Sequence, residues 1–139
     1  MANAFYGAGL AAFAKGDIVW KASGGSTIKA VLVDTASYTV NTATDANLSD
    51  IASGMRVATS SALTLIDAAS GGILDANDVT FSSVTGNQSE AVVLYKDTGT
   101  ATTSTLILYV DTATGLPVTP NGGNVTITWD NGTNKIGKL

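Results

Sequence analysis

The strongest pattern of apolar and polar positions lies in residues 90–139. Two runs of β-branched, leucine and aromatic side chains, residues 91–95 (AVVLY) and 106–110 (LILYV), flank a segment of Thr, Gly and Ser. That arrangement predicts a hairpin with a longer loop. A turn cluster follows, holding both prolines of the protein, Pro117 and Pro120, and the pair Gly122-Gly123. After it, Val125, Ile127 and Trp129 alternate with Thr126 and Thr128, which puts the three large side chains on one face of a strand. Upstream, residues 27–34 (TIKAVLVD) carry apolar side chains on both faces, as a strand covered from two sides would. Residues 56–60, 62–67 and 79–84 are further strand candidates, with the break Gly71-Gly72 after the first two and a Gly86-Asn87 turn after the third. Residues 36–44, with Tyr38 and Val40 alternating, suggest a brief edge strand, and residues 48–52 a single helical turn capped by Asn47.

The N-terminus has a different period. In residues 3–15, Phe5, Tyr6, Leu10 and Phe13 fall at near-helical spacing, with Asn3 placed to cap the start and Gly16 placed as a left-handed C-cap. Gly7 and Gly9 weigh against the helix by about 1 kcal/mol each relative to alanine. The pattern therefore predicts a mainly β protein, an antiparallel β-sandwich or barrel-like domain over residues 17–139, preceded by a short N-terminal helix or arm over residues 1–16. Short strands separated by turn signals favour that class over an alternating α/β fold. The segments Leu32-Val33-Asp34-Thr35-Ala36-Ser37 and Tyr109-Val110-Asp111-Thr112-Ala113-Thr114 echo each other; each ends an apolar run with Asp-Thr, whose side chains bond a turning backbone.

Composition sharpens this picture in one respect. Of the 139 residues, 45% are hydrophobic and only 13% charged, about half the usual charged fraction. So little charge gives weak protection against association, and part of the surface is expected to be buried by partners. The net charge is −4 with seven scattered Lys and Arg residues, which speaks against nucleic-acid binding and against anionic membrane surfaces. The first residues have no cationic, apolar leader pattern, and no run approaches the length of a membrane span. Synthesis in a cytoplasm, without an export signal, is the expectation.

Cysteine and histidine are both absent. Disulfides, thiolate metal sites, the commonest general base and the Ser-His-Asp and Cys-His systems go with them. Three patterns imitate chemistry. Asp97-Thr98-Gly99 matches the tripeptide of aspartic proteases, yet it follows Lys96 and precedes a polar run, as a hairpin loop would. Asp75-Ala76-Asn77-Asp78 spaces oxygen ligands like a calcium loop but lacks the central Gly and closing Glu. Gly7-Ala8-Gly9 has no preceding strand, and Gly122-Gly123 has neither a following helix nor a Lys-Ser/Thr pair, so neither is a nucleotide loop. The expectation is a protein that is not an enzyme and uses no cofactor or metal.

Three segments carry a resemblance. They are Tyr95-Lys96-Asp97-Thr98-Gly99, the run from Tyr109 through Thr112-Ala113-Thr114-Gly115-Leu116-Pro117 to Gly123, and Trp129-Asp130-Asn131-Gly132-Thr133-Asn134-Lys135-Ile136. Together with Ala4-Phe5-Tyr6 and the strand around Val33-Asp34-Thr35, they resemble a family of small tailed-bacteriophage virion proteins of the head-decoration, or cement, type. That resemblance implies a structural virion protein on the capsid surface, made in the host bacterial cytoplasm. It would bind the major capsid protein on the outside of the assembled head and bridge capsomers, as a homotrimer on threefold positions. The contact residues it suggests, to capsid or to a second subunit, are Phe5, Tyr6 and Phe13 in the N-terminal segment and Pro117, Pro120 and Asn121 in the loop. The alternative for the first three is a helix packed on its own sandwich, and for the loop a plain turn. The second functional reading is a tail- or adhesion-associated β module that binds host surface glycans.

Overall fold

A computed structural model describes residues 3–139. Ten strands, β1 (Ala4–Phe5), β2 (Ile28–Val33), β3 (Arg56–Thr59), β4 (Leu65–Ala69), β5 (Ile73–Ala76), β6 (Val79–Phe81), β7 (Ala91–Lys96), β8 (Thr105–Val110), β9 (Val125–Ile127) and β10 (Gly137–Lys138), accompany helix α1 (Gly7–Lys15) among the described residues. All pairings of these strands are antiparallel, in a five-stranded sheet ordered β1-β8-β7-β2-β3, a three-stranded sheet ordered β10-β5-β4 and the pair β6-β9. The protein is mainly β and sandwich-like, with one short N-terminal helix, as the pattern predicts.

The large sheet is covered on both faces, because its central strands are apolar at successive positions rather than alternate ones. Ile28, Ala30 and Leu32 of β2 and Val92 and Leu94 of β7 face the larger core, where Leu65, Leu74, Phe81, Ile127 and the two tryptophans pack. Val31, Val33, Ala91, Val93 and Tyr95 face a second core. Among the described residues no sheet covers that side; Tyr38, Leu48 and Ile51, from the stretch between β2 and β3, close it. Residues 36–44 are therefore irregular and not the edge strand their alternation suggests, because Tyr38 is anchored by burial and hydrogen bonds. The helical turn is present as Leu48–Asp50 after Asn47. Asp50 folds back to accept the backbone N–H groups of Asn47 (2.9 Å) and Ala46 (2.7 Å).

Between Leu94 and Tyr95 the β7–β8 register shifts, and Tyr95 pairs with Leu106 while Leu94 pairs with Leu108. Ile107 is the extra residue of a bulge. At that bulge the N-terminal segment docks. Ala4 and Phe5 pair with Tyr109 and Leu108, Tyr6 donates its backbone N–H to Ile107 (2.9 Å), and Leu48 and Leu106 then bond to Ser104 and Ala46. The outer edge of β8 is thus closed in three pieces, which removes a free edge from an apolar strand.

The N-terminal residues consequently do not form a separate arm. The helix begins at Gly7, not near Asn3, because Ala4–Phe5 is spent as a strand. Asn3 instead accepts the Asp111 N–H (2.9 Å) and donates to Thr112 Oγ1 (2.7 Å). The C-cap is as expected: Gly16 is left-handed (φ 80°) and its N–H and that of Asp17 satisfy carbonyls of the last turn. Gly9 has a steric role, since a Cβ there would lie 2.7 Å from Ile107 Cα and from the Leu106 carbonyl oxygen. The glycine that weakens the helix is what lets it touch the sheet.

Candidate functional site

Two exposed features border the N-terminal strap, and both are built from segments singled out in the sequence. The first is the loop between β8 and β9. It leaves the sheet at Asp111, beside Asn3, and is pinned along its length. Thr114 and Thr128 exchange backbone hydrogen bonds (3.0 and 3.1 Å), as do Ser89 and Val118 (2.9 Å each). Gly122 and Gly123 bracket Val84, one donating to its carbonyl (2.7 Å) and the other accepting its N–H (2.9 Å). Gly115 has φ 109°, and a Cβ on it would lie 2.7 Å from the Thr126 carbonyl oxygen; any larger residue is excluded where the loop crosses β9. The Leu116–Pro117 peptide bond is cis. Pro117 and Asn121 are exposed and Pro120 is half-buried. No ionisable residue occurs between Asp111 and Asp130, so the loop presents hydroxyls, amides, proline rings and the half-buried Leu116 and Val118.

The second feature is a groove of about 390 Å³ between the N-terminal strap and the C-terminal turn. Phe5 and Leu108 supply apolar lining, and Asn3, Asp130, Lys135 and Lys138 supply polar lining. Of the six proposed contact residues only Phe5 lines it. Phe13 is half-buried, packed from α1 against the larger core. Tyr6 is fully buried and has no surface to offer a partner. Its hydroxyl lies 3.0 Å from that of Tyr38, which donates to Asp45 (2.7 Å). Burial raises the pKa of both phenols, further than the bond from Tyr38 lowers that of Tyr6, so neither acts as a base near neutral pH.

The patterns that imitate chemistry have structural duties. Asp97 pairs with Lys29 at 2.9 Å and accepts the Gly99 N–H at 3.0 Å. The Lys29 ammonium, then that N–H, hold the Asp97 carboxyl below its ordinary range, and the same pairing raises Lys29. Asp78 accepts the Trp129 N–H (3.1 Å), and the Asn77 carbonyl accepts the Trp129 indole N–H (3.0 Å). Trp20 is tied in the same way to the Asp75 carbonyl (2.9 Å). Both tryptophans are core residues, as the alternation around Trp129 predicts for that one. Among the described residues no three Asp or Glu side chains converge as a metal site would require, and no helix is long and apolar enough to cross a membrane.

The meeting of segments that forms the groove has no signal in the sequence. The groove walls come from opposite ends of the protein, which meet because β1 pairs with β8 while β10 pairs with β5. No protein-family model matches the sequence, and no curated protein matches it.

Proposed function

We propose that this protein is a structural component of a tailed-phage virion, a head-decoration protein that binds the outside of the assembled shell and bridges neighbouring capsomers. The observation that carries the reading is the loop from Asp111 to Val125. Between Asp111 and Val125 it is mostly exposed and free of ionisable side chains, it is held by backbone bonds to three other parts of the fold, and it belongs to the longest of the segments on which the resemblance rests. A loop already fixed in place loses little conformational entropy on docking, and one without charges sheds only a modest hydration shell. The contact set is then Pro117, Pro120 and Asn121 in the loop, with Phe5 at the neighbouring groove and Phe13 on α1.

The action is thermodynamic. A ligand that binds the expanded shell and not its free subunits stabilises the shell by mass action. A homotrimer seated on a threefold axis multiplies each weak contact through effective concentration. The partners are the major capsid protein and two further copies of this protein; the site is the virion surface, reached after synthesis in the host cytoplasm. No reaction, cofactor or metal enters.

The test is sedimentation of the purified protein with mature heads that lack it. Saturable binding to shells, and none to free capsid subunits, is the expected result. Binding to host cells and not to shells would replace this reading with a glycan-binding tail module.

A further inference from the structure

We infer that Asn131 is a site of self-catalysed deamidation, set up by Asp130 and Lys135. The proposal is independent of the capsid reading. The turn after β9 is exposed from Asp130 to Asn134 and contains Asn131-Gly132, where the missing Cβ of Gly132 leaves its nitrogen open to the neighbouring amide. The Asp130 carboxylate accepts the Gly132 N–H at 2.9 Å, within the reach required of a general base on the attacking nitrogen. It lies directly over Gly132, where a Cβ would meet Asp130 Oδ2 at 3.2 Å and Oδ1 at 3.3 Å. Lys135 Nζ stands 3.5 Å from Asn131 Oδ1, on the oxygen where negative charge develops during attack.

The step balances without an added oxidant or reductant. The Gly132 nitrogen forms a bond to Asn131 Cγ and gives its proton to Asp130. The Cγ–Nδ2 bond of Asn131 breaks, and the amide nitrogen leaves as ammonia with that proton. Water then opens the cyclic imide at one carbonyl or the other, giving aspartate or isoaspartate. Either product places a carboxylate beside Lys135 on the rim of the groove, and isoaspartate also lengthens the backbone leading into β10.

An internal control lies ten residues upstream. Asn121-Gly122 is the other exposed Asn-Gly pair, but the Gly122 N–H is bonded to the Val84 carbonyl at 2.7 Å. The Asn121 Oδ1 atom is occupied by the Gly123 N–H at 3.0 Å. Its nucleophile faces a carbonyl, which cannot take the proton away.

The experiment is incubation of the intact protein at neutral pH, with peptide mapping by mass spectrometry and an isoaspartate assay. Asn131 is expected to convert about a hundredfold faster than Asn121, the lower end of what a positioned base contributes. Asp130→Ser should slow Asn131 by a similar factor and leave Asn121 unchanged. Equal rates at the two asparagines, or an unchanged Asn131 rate in Asp130→Ser, would overturn the proposal.

Discussion

A methyl group at position 9 would collide with the backbone of β8 at Leu106 and Ile107, whereas one at position 7 would meet only the Thr42 carbonyl oxygen at 3.6 Å. The two helix glycines therefore respond oppositely to substitution. Gly9→Val should destabilise the protein by about 1–3 kcal/mol, the range for overpacking, because a strand backbone does not swing aside as a rotamer does. Gly7→Ala should be neutral or stabilising by up to about 1 kcal/mol through helix propensity. Urea unfolding of the two variants distinguishes them. Tyr38 is the second decisive residue. Tyr38→Phe removes the hydroxyl between Tyr6 and Asp45, leaving the buried Tyr6 hydroxyl without that partner. The expected loss is about 1–3 kcal/mol; a loss within experimental error would mean the two phenols are not coupled. At this scale the sequence says little. Gly9 reads as a flaw in a helix, and Tyr6 reads as an exposed contact residue, until β1 places one against a strand and the other under it.

Among elements, the N-terminal strap has the largest consequence for its length. Deleting residues 1–6 removes β1 and bares the Leu108–Tyr109 edge of β8. The truncated protein should melt at lower temperature and self-associate, as an unpaired apolar edge does; light scattering during a thermal ramp reads both. The β7–β8 loop and the Asn47 turn carry the acid response. The carboxyls of Asp97 and Asp50 are both depressed, the first by Lys29 and the second by the N–H groups of Asn47 and Ala46. Unfolded, an aspartate titrates near ~3.9. Between that value and the lower folded one, the unfolded state binds more protons. Their stabilisation is thus complete above about pH 4 and lost as pH falls through the folded values. Lys29 runs the other way: its pKa is raised, so its contribution is complete below the unfolded value and lost as pH rises past the folded one. Asp97→Asn should lower stability at pH 7 and flatten the acid limb of a stability-against-pH curve; an unchanged limb would remove Asp97 from it. The strands that make these elements were legible wherever runs of β-branched and aromatic residues were long, as in β2, β7 and β8. The two-residue strands β1 and β10 were not, because two residues have no period.

For the whole molecule, the pattern conveys the class of fold and the burial of β2 on both faces, since Val31 and Val33 alternate with Ala30 and Leu32. It does not convey that one face is closed by the segment between β2 and β3, because Tyr38 reads there as part of an edge strand and Leu48 and Ile51 as part of a separate helical turn. Of the candidate surface, the loop with Pro117, Pro120 and Asn121 was visible as turn residues without charge. The groove was not, since it joins Phe5 to Lys135 and Lys138 across the length of the sequence. The resulting molecule is a sheet with a core on each face that carries an uncharged loop pinned by backbone hydrogen bonds, the feature on which the proposed clamp rests. The central claim is that such clamps coat a phage head, and copy number tests it most directly. Quantitative mass spectrometry of purified virions should find this protein in numbers comparable with the major capsid protein. Absence from the particle, or the few copies of a tail component, would contradict it.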